Sequence, residues 1–180
     1  MEQLESTQSS EETDKALYSK LKRNVRKGLK GLDNFLGFFP IQRVVIPYLL
    51  QGLEGREDSI YSSDICISVP TGEGKTLCYV IPIANYLYTR SYPTLTALII
   101  VPTRELANQV GQVFALFTKS TRDKLPIKTL ILTGQQPFNN ETKQLKSIRP
   151  DILVTTPGRL SEHYHHLLNE TPRNNDAQKI

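Results

Sequence analysis

The sequence predicts an α/β fold built on a parallel sheet, and three observations carry that expectation. Short apolar runs alternate with segments of helical periodicity from about residue 64 onward. One run, Ala97-Leu98-Ile99-Ile100-Val101, is apolar at every position, as expected of a strand covered by helices on both faces. A loop ending in Gly74-Lys75-Thr76 joins a strand pattern to a helix pattern, the usual βα order of such folds.

The elements follow in order. Residues 1–14 are polar, acidic and aperiodic, and read as disordered. Leu17, Leu21, Val25, Leu29 and Leu32 then recur at three- and four-residue intervals, which predicts an amphipathic helix from about Tyr18 with a basic opposite face. Pro40 suits a first helical turn, where its missing N–H costs little, and opens a helix through Leu50 that Pro47 should kink or shorten. Ile65, Ile67 and Val69 head a short strand; after the Gly72 and Gly74 loop, Leu77, Val80, Ile81, Ala84 and Leu87 keep helical spacing to about Tyr88. A strand from Leu95 to Val101 precedes Thr103, an N-cap for a helix whose apolar face is Leu106, Val110, Val113, Phe114 and Phe117. Strands at Ile127–Leu132 and Ile152–Thr155 complete the sheet, and Thr156-Pro157 starts a last helix bearing Leu160, Tyr164, Leu167 and Leu168.

Composition narrows the function classes. With 38% apolar and 22% charged residues in 180, there is material for a core, and no window nears the ~18 uninterrupted apolar residues of a membrane span. The acidic start lacks a secretory layout, so a soluble, non-exported chain without membrane partners is expected. Cys66 and Cys78 lack C-x-x-C spacing and lie in apolar surroundings that suggest buried, reduced thiols. The net charge of +4 is unevenly spread: residues 1–14 carry five acids and no base, and residues 15–30 carry seven bases and no acid. A basic arm of this kind suits nucleic-acid phosphates or a targeting signal, and a solvated extension explains it equally well.

The sharpest signal is Thr71-Gly72-Glu73-Gly74-Lys75-Thr76. Phosphate oxygens need converging backbone N–H groups, hence glycines that permit close approach, and the following helix adds its positive dipole end. Lys75 can reach the outer phosphates and the Thr76 hydroxyl can take a magnesium position. The strict pattern G-x-x-x-x-G-K-[ST] would place glycine where this chain has Val69. Glu73 opposes the ligand's charge and should weaken binding modestly, less so at high ionic strength. His163, His165 and His166 lie close together, but only the first and last share a helix face, so no metal centre is expected of them.

Four segments occur in one order: Phe38-Phe39-Pro40-Ile41-Gln42, Val69-Pro70-Thr71-Gly72-Glu73-Gly74-Lys75-Thr76, Pro102-Thr103-Arg104-Glu105-Leu106-Ala107 and Thr156-Pro157-Gly158-Arg159. This resembles the first half of the N-terminal RecA-like lobe of DEAD-box RNA helicases over roughly residues 32–170. The resemblance implies an ATP-dependent RNA helicase with ATP and Mg2+ as cofactors. Val69 to Thr76 would hold the nucleotide phosphates, with Lys75 and Thr76 catalytic and Thr76 beside magnesium. Gln42 would read adenine, and its amide independently suits the N6/N7 edge of that base. Thr103, Arg104, Gly134, Thr156, Pro157, Gly158 and Arg159 would grip the RNA backbone without regard to base sequence. For Glu105 a favourable acid in a first helical turn serves as well as any RNA role.

The chain departs from the family pattern in three places. The upstream aromatic that would stack on the base is replaced by Val25, the Gly-Gly pair is Gly134-Gln135, and no Asp-Glu-Ala-Asp occurs in the 180 residues. The second, with the variants Phe39-Pro40-Ile41-Gln42 and Val69-Pro70-Thr71-Gly72, is closer to a nucleolar subgroup acting in large ribosomal subunit assembly, which implies ribosome-assembly proteins as partners and a nucleolar, otherwise cytoplasmic, location. The third implies that this chain by itself binds ATP weakly and hydrolyses none, because magnesium and the attacking water need that acidic pair. The expected organisation is an acidic then basic arm (1–31), a partial ATP-binding domain (32–170) and a polar tail (171–180). A non-catalytic RNA- or partner-binding module is the alternative.

Overall fold

In the computed structural model, residues 2–32, 35–53, 64–118 and 125–170 are described, with side chains from Ser10 to Asn169. Helix α1 (Glu2–Lys20) is followed by α2 (Arg23–Lys30), α3 (Pro40–Leu53) and α4 (Lys75–Leu87). Then come β1 (Ala97–Ile100), α5 (Arg104–Thr118), β2 (Thr129–Leu132), α6 (Phe138–Ile148), β3 (Ile152–Thr155) and α7 (Pro157–Glu170). The polar tail from 171 lies outside the described residues.

The three strands form a parallel sheet in the order β1-β3-β2. Register puts Ala97, Ile152 and Thr129 in one row and Leu98, Leu153 and Leu130 in the next, so successive rows point to opposite faces. Ala97, Ile152 and Val154 face the main core, where α5 contributes Ala107, Val110, Phe114 and Phe117, and α4 contributes Val80, Ile81, Ala84 and Leu87. On the other face Leu130, Leu132 and Leu153 meet Leu145 and Ile148 of α6. The central strand β3 is therefore buried at all four residues.

The expectation that β1 is covered on both faces is corrected. Leu98 and Ile100 are about half exposed, because α6 packs over β2 and β3 and does not extend to the edge strand. The strand expected at Ile65–Val69 is not formed: residues 64–70 have no regular secondary structure, and among the described residues no ladder pairs with them. Cys66 in that segment is exposed, whereas Cys78 of α4 is buried as expected.

The N-terminal region differs most from the sequence expectation. Instead of disorder, residues 2–14 form the first part of α1, consistent with a segment that carries several Glu and Gln and contains no glycine or proline. The helix anticipated from Tyr18 breaks at Leu21-Lys22, where Lys22 is extended and its backbone N–H donates to Asn85 Oδ1 at 2.7 Å. On either side of that break Leu17, Leu21, Val25 and Leu29 enter the same core as α4 and α5. Gly28 permits the approach of α2 to α5: a Cβ there would lie 2.6 Å from Phe117 Cδ1. Pro47 sits inside α3 without ending it, and α6 is a helix that the sequence pattern did not suggest.

Two buried ion pairs tie the layers. Asp151, fully buried at the start of β3, accepts from Arg90 Nε at 2.7 Å, from Arg90 Nη2 at 3.0 Å and from the Lys128 N–H at 2.8 Å. The second centres on Glu141 at the opposite, C-terminal ends of the strands. Among the described residues no helix is long and apolar enough to cross a membrane.

Candidate nucleotide and RNA site

The segment from Thr71 to Thr76 folds as a tight turn into α4. Gly72 and Gly74 take φ of 90° and 72°, left-handed values that favour glycine. At Gly74, the N-cap of α4, an added Cβ would lie 2.2 Å from Gln42 Nε2 and 2.9 Å from Phe39 Cδ2, so only glycine fits. At Gly72 an added Cβ would meet nothing within 4 Å, which leaves the backbone open to a ligand. Lys75 Nζ donates to the carbonyls of Val69 (2.7 Å) and Pro70 (2.6 Å), which holds its ammonium within the loop. The cation, the glycine backbone and the first N–H groups of α4 together form a cradle suited to phosphate. Thr76 follows at the second position of α4, and burial raises the nearby Tyr79 hydroxyl above its ordinary pKa, an effect Thr76 partly offsets.

Gln42 is fully buried in α3. Its Oε1 accepts from the Phe39 N–H at 2.9 Å, and its Nε2 donates to the Gly74 carbonyl at 2.9 Å. The amide thus links the Phe39-Pro40 turn to the phosphate loop. Val25, at the position where the resemblance would place a stacking aromatic, is fully buried between helices and offers no surface to a base.

The remaining candidates gather where the parallel strands end, the edge at which open α/β sheets bind ligands. Thr103 follows β1, and its Oγ1 accepts from the Leu106 N–H at 3.2 Å, the N-cap expected for α5. Gly134 follows β2 with φ of 75°. An added Cβ on it would lie 3.7 Å from both Arg104 Nη2 and Arg159 Nε, so the two guanidinium groups flank this glycine. Thr156 follows β3, its carbonyl accepts from the Leu160 N–H at 2.9 Å, and Pro157 and Gly158 open α7 with exposed backbone. Thr103, Arg104, Gly134 and Thr156 to Arg159 therefore share one strand-end surface.

Two residues absent from the sequence expectation organise that surface. Glu141 is 2% exposed; its Oε1 accepts from the Gly134 N–H at 2.9 Å, and its Oε2 accepts from Arg159 Nε at 2.6 Å and lies 3.2 Å from His163 Nε2. Burial opposes the charge on Glu141, but the hydrogen bonds from Arg159, His163 and Gly134 outweigh it and hold the carboxyl below its ordinary range. Phe138 stacks on His163 with ring centroids 4.5 Å apart and lies 5.0 Å beneath the Arg159 guanidinium. Arg159 also binds Glu162 and the Gln136 carbonyl. His163 is thus engaged by a carboxylate and a phenyl ring, and among the described residues no group of three or more His, Cys, Asp or Glu is placed to hold a metal.

Comparison with known proteins gives this geometry a family. The family model for DEAD/DEAH box helicases matches residues 39–178. The chain is 39% identical over 147 residues to human ATP-dependent RNA helicase DDX51, and 42% identical over 137 residues to ATP-dependent RNA helicase dbp6 of Schizosaccharomyces pombe. These alignments take in 75% and 73% of this chain but 21% and 22% of the relatives, so the chain spans about a fifth of their length. Among solved structures, the yeast DEAD-box splicing factor Prp28 matches with a TM-score of 0.68 and 31% identity, covering 82% of this chain and 33% of that one. The DEAD-box helicase Mss116 bound to ssRNA and UDP-BeF matches with a TM-score of 0.65 and 26% identity, covering 83% and 29%. The sheet and its helices are those of a RecA-like helicase lobe, and the chain belongs to the DEAD/DEAH box helicase family.

Proposed function

We propose that this chain is the ATP- and RNA-binding part of an ATP-dependent RNA helicase acting in ribosomal RNA processing and ribosome biogenesis, with ribosome-assembly proteins as partners and the nucleolus as its place of work. The observation that carries the reading is Gly74: a left-handed N-cap, closed to any side chain by Gln42 and Phe39, that delivers Lys75 into the loop ahead of α4. Val69 to Thr76 then hold the triphosphate, and Gln42, fully buried with its amide held by the Phe39 N–H and the Gly74 carbonyl, would read adenine only on exchanging those bonds. The residues fit a magnesium nucleotide, since the Thr76 hydroxyl is a hard oxygen donor in the first turn of α4; magnesium held there would supply charge neutralisation to the phosphates. Thr103, Arg104, Gly134, Thr156, Pro157, Gly158 and Arg159 form the RNA grip, made of exposed backbone and flanking guanidinium groups.

The chain by itself hydrolyses no ATP in this reading, because no Asp-Glu-Ala-Asp is present to hold magnesium and orient water. Three measurements test it. A fluorescent ATP analogue should bind the chain and lose affinity at least tenfold on Lys75→Ala. Single-stranded RNA should bind in a manner weakened by Arg104→Ala. ATPase turnover with saturating RNA should stay at background. Turnover above background sinks the claim on hydrolysis, and RNA binding without any nucleotide binding favours the non-catalytic module instead.

A further inference from the structure

Helix α2 presents a stripe of cations that neither the nucleotide loop nor the strand-end surface uses. Arg23, Arg26, Lys27 and Lys30 stand at i, i+3, i+4 and i+7, the spacing that aligns side chains along one helix face. The opposite face, Val25, Gly28 and Leu29, is buried against the core. This orientation is fixed by close packing, because Gly28 lies against Leu116 and Phe117 of α5.

The stripe carries an electrostatic cost in its first turn, whereas Lys27 and Lys30 sit in the last turn, where the dipole favours cations. Like charges at i, i+4 repel, and Arg23 and Arg26 lie in the first turn, which has no acid, at the positive end of the helix dipole. Among the described residues none of the four cations is in an ion pair with a carboxylate. They line a cavity of about 380 Å³ together with Tyr18, and Arg26 stands 5.7 Å over the Tyr18 ring. A row of cations beside an aromatic ring is the layout that tracks a phosphate backbone and stacks a base. An acidic protein segment would match the charge but has no use for the ring.

We propose that this face of α2, with Tyr18, is a second RNA-binding surface that follows the phosphate backbone of a single strand. It is separate from the strand-end grip. Gly28 packs against the C-terminal end of α5, whereas Arg104 is its first residue, about 20 Å away at 1.5 Å per residue. The inference rests on the reading of RNA as ligand, and the test separates the two.

The test is the salt dependence of fluorescein-labelled 20-nucleotide oligouridine binding to the full chain, its Arg104→Ala variant, and a variant carrying Arg23→Gln, Arg26→Gln, Lys27→Gln and Lys30→Gln. Glutamine keeps helix propensity, so circular dichroism should not change. Four lost phosphate contacts should reduce the log–log salt slope by about 2.8; the unaltered chain should then lose about 50-fold more affinity than the variant between 50 and 200 mM salt. Should the fourfold variant fail to fold, Arg23→Gln with Lys27→Gln should show about a sevenfold difference. Ultraviolet cross-linking should join the RNA to Tyr18. An unchanged slope in the folded variants overturns the proposal, as does poly-glutamate displacing the RNA from α2 at equal charge concentration. If the unaltered chain binds no RNA, this inference and the strand-end reading both fall. Binding that Arg104→Ala weakens and the α2 variants do not leaves the strand-end reading standing alone.

Discussion

Replacing Glu141 tests whether the strand-end surface depends on one buried carboxylate. In Glu141→Ala, Arg159 Nε loses a 2.6 Å partner and the Gly134 N–H loses a 2.9 Å acceptor, both in a region that water does not reach freely. Removing one member of a buried ion pair costs about 3–5 kcal/mol. Glu162 remains to serve Arg159, but its side chain is 59% exposed and compensates weakly, which places the cost near the lower end, about 3 kcal/mol. At roughly 2–4 °C per kcal/mol for a chain of this size, the melting temperature should fall by about 6–12 °C. Glu141→Gln keeps the shape and one acceptor, so about half that loss is expected. The pH dependence has a definite sign. The folded carboxyl titrates below its ordinary value of 4.5, so its contribution is complete above that value and is lost as pH falls through the lower, folded value. The gap in melting temperature between the unaltered chain and Glu141→Gln should therefore be full at pH 7 and shrink under acid. Calorimetry at a series of pH values would decide it. A Glu141→Ala chain that melts within about 2 °C of the original at pH 7, or a gap that widens as pH falls, refutes the reasoning.

Three further outcomes follow from single sites. Gly74→Ala places a Cβ 2.2 Å from Gln42 Nε2 at a left-handed residue, so titration with a fluorescent ATP analogue should show at least tenfold weaker binding, whereas Gly72→Ala, with open space around it, should lose less. Asp151→Ala strands Arg90 and the Lys128 N–H in the interior; urea denaturation should show a loss of about 3–5 kcal/mol, and a loss below about 1 kcal/mol would contradict the assigned pair. Glu73→Ser removes an acid from the phosphate loop and should tighten nucleotide binding about threefold at low salt, with the gain fading as salt is raised; affinity unchanged at low salt would show that Glu73 points clear of the ligand.

The features legible in the sequence are those whose cause is local. Glycines that must turn left-handed, a lysine beside them, a threonine capping the helix after β1 and a proline at the first position of the helix after β3 each state their geometry within six residues, and each is where it was expected. What stayed hidden depends on partners distant along the chain. The alternation of Ile65, Ile67 and Val69 is a strand's alternation, yet a strand exists only as part of a ladder, and the described residues supply none for it. Acidic composition reads as disorder over residues 1–14, although a segment without glycine or proline stays helical once Leu17, Leu21 and Val25 anchor the chain to the core. Helix α6 escaped notice because its one fully buried side chain is a charge, and apolar periodicity is blind to a buried carboxylate. Glu141 becomes interior only when Arg159 and His163, 18 and 22 residues further on, fold over it from α7. A motif search finds Arg159 by its neighbours Thr156 to Gly158. The residue that sets where that guanidinium stands has no such local signature, and only the packing of α6 against the strand ends reveals it.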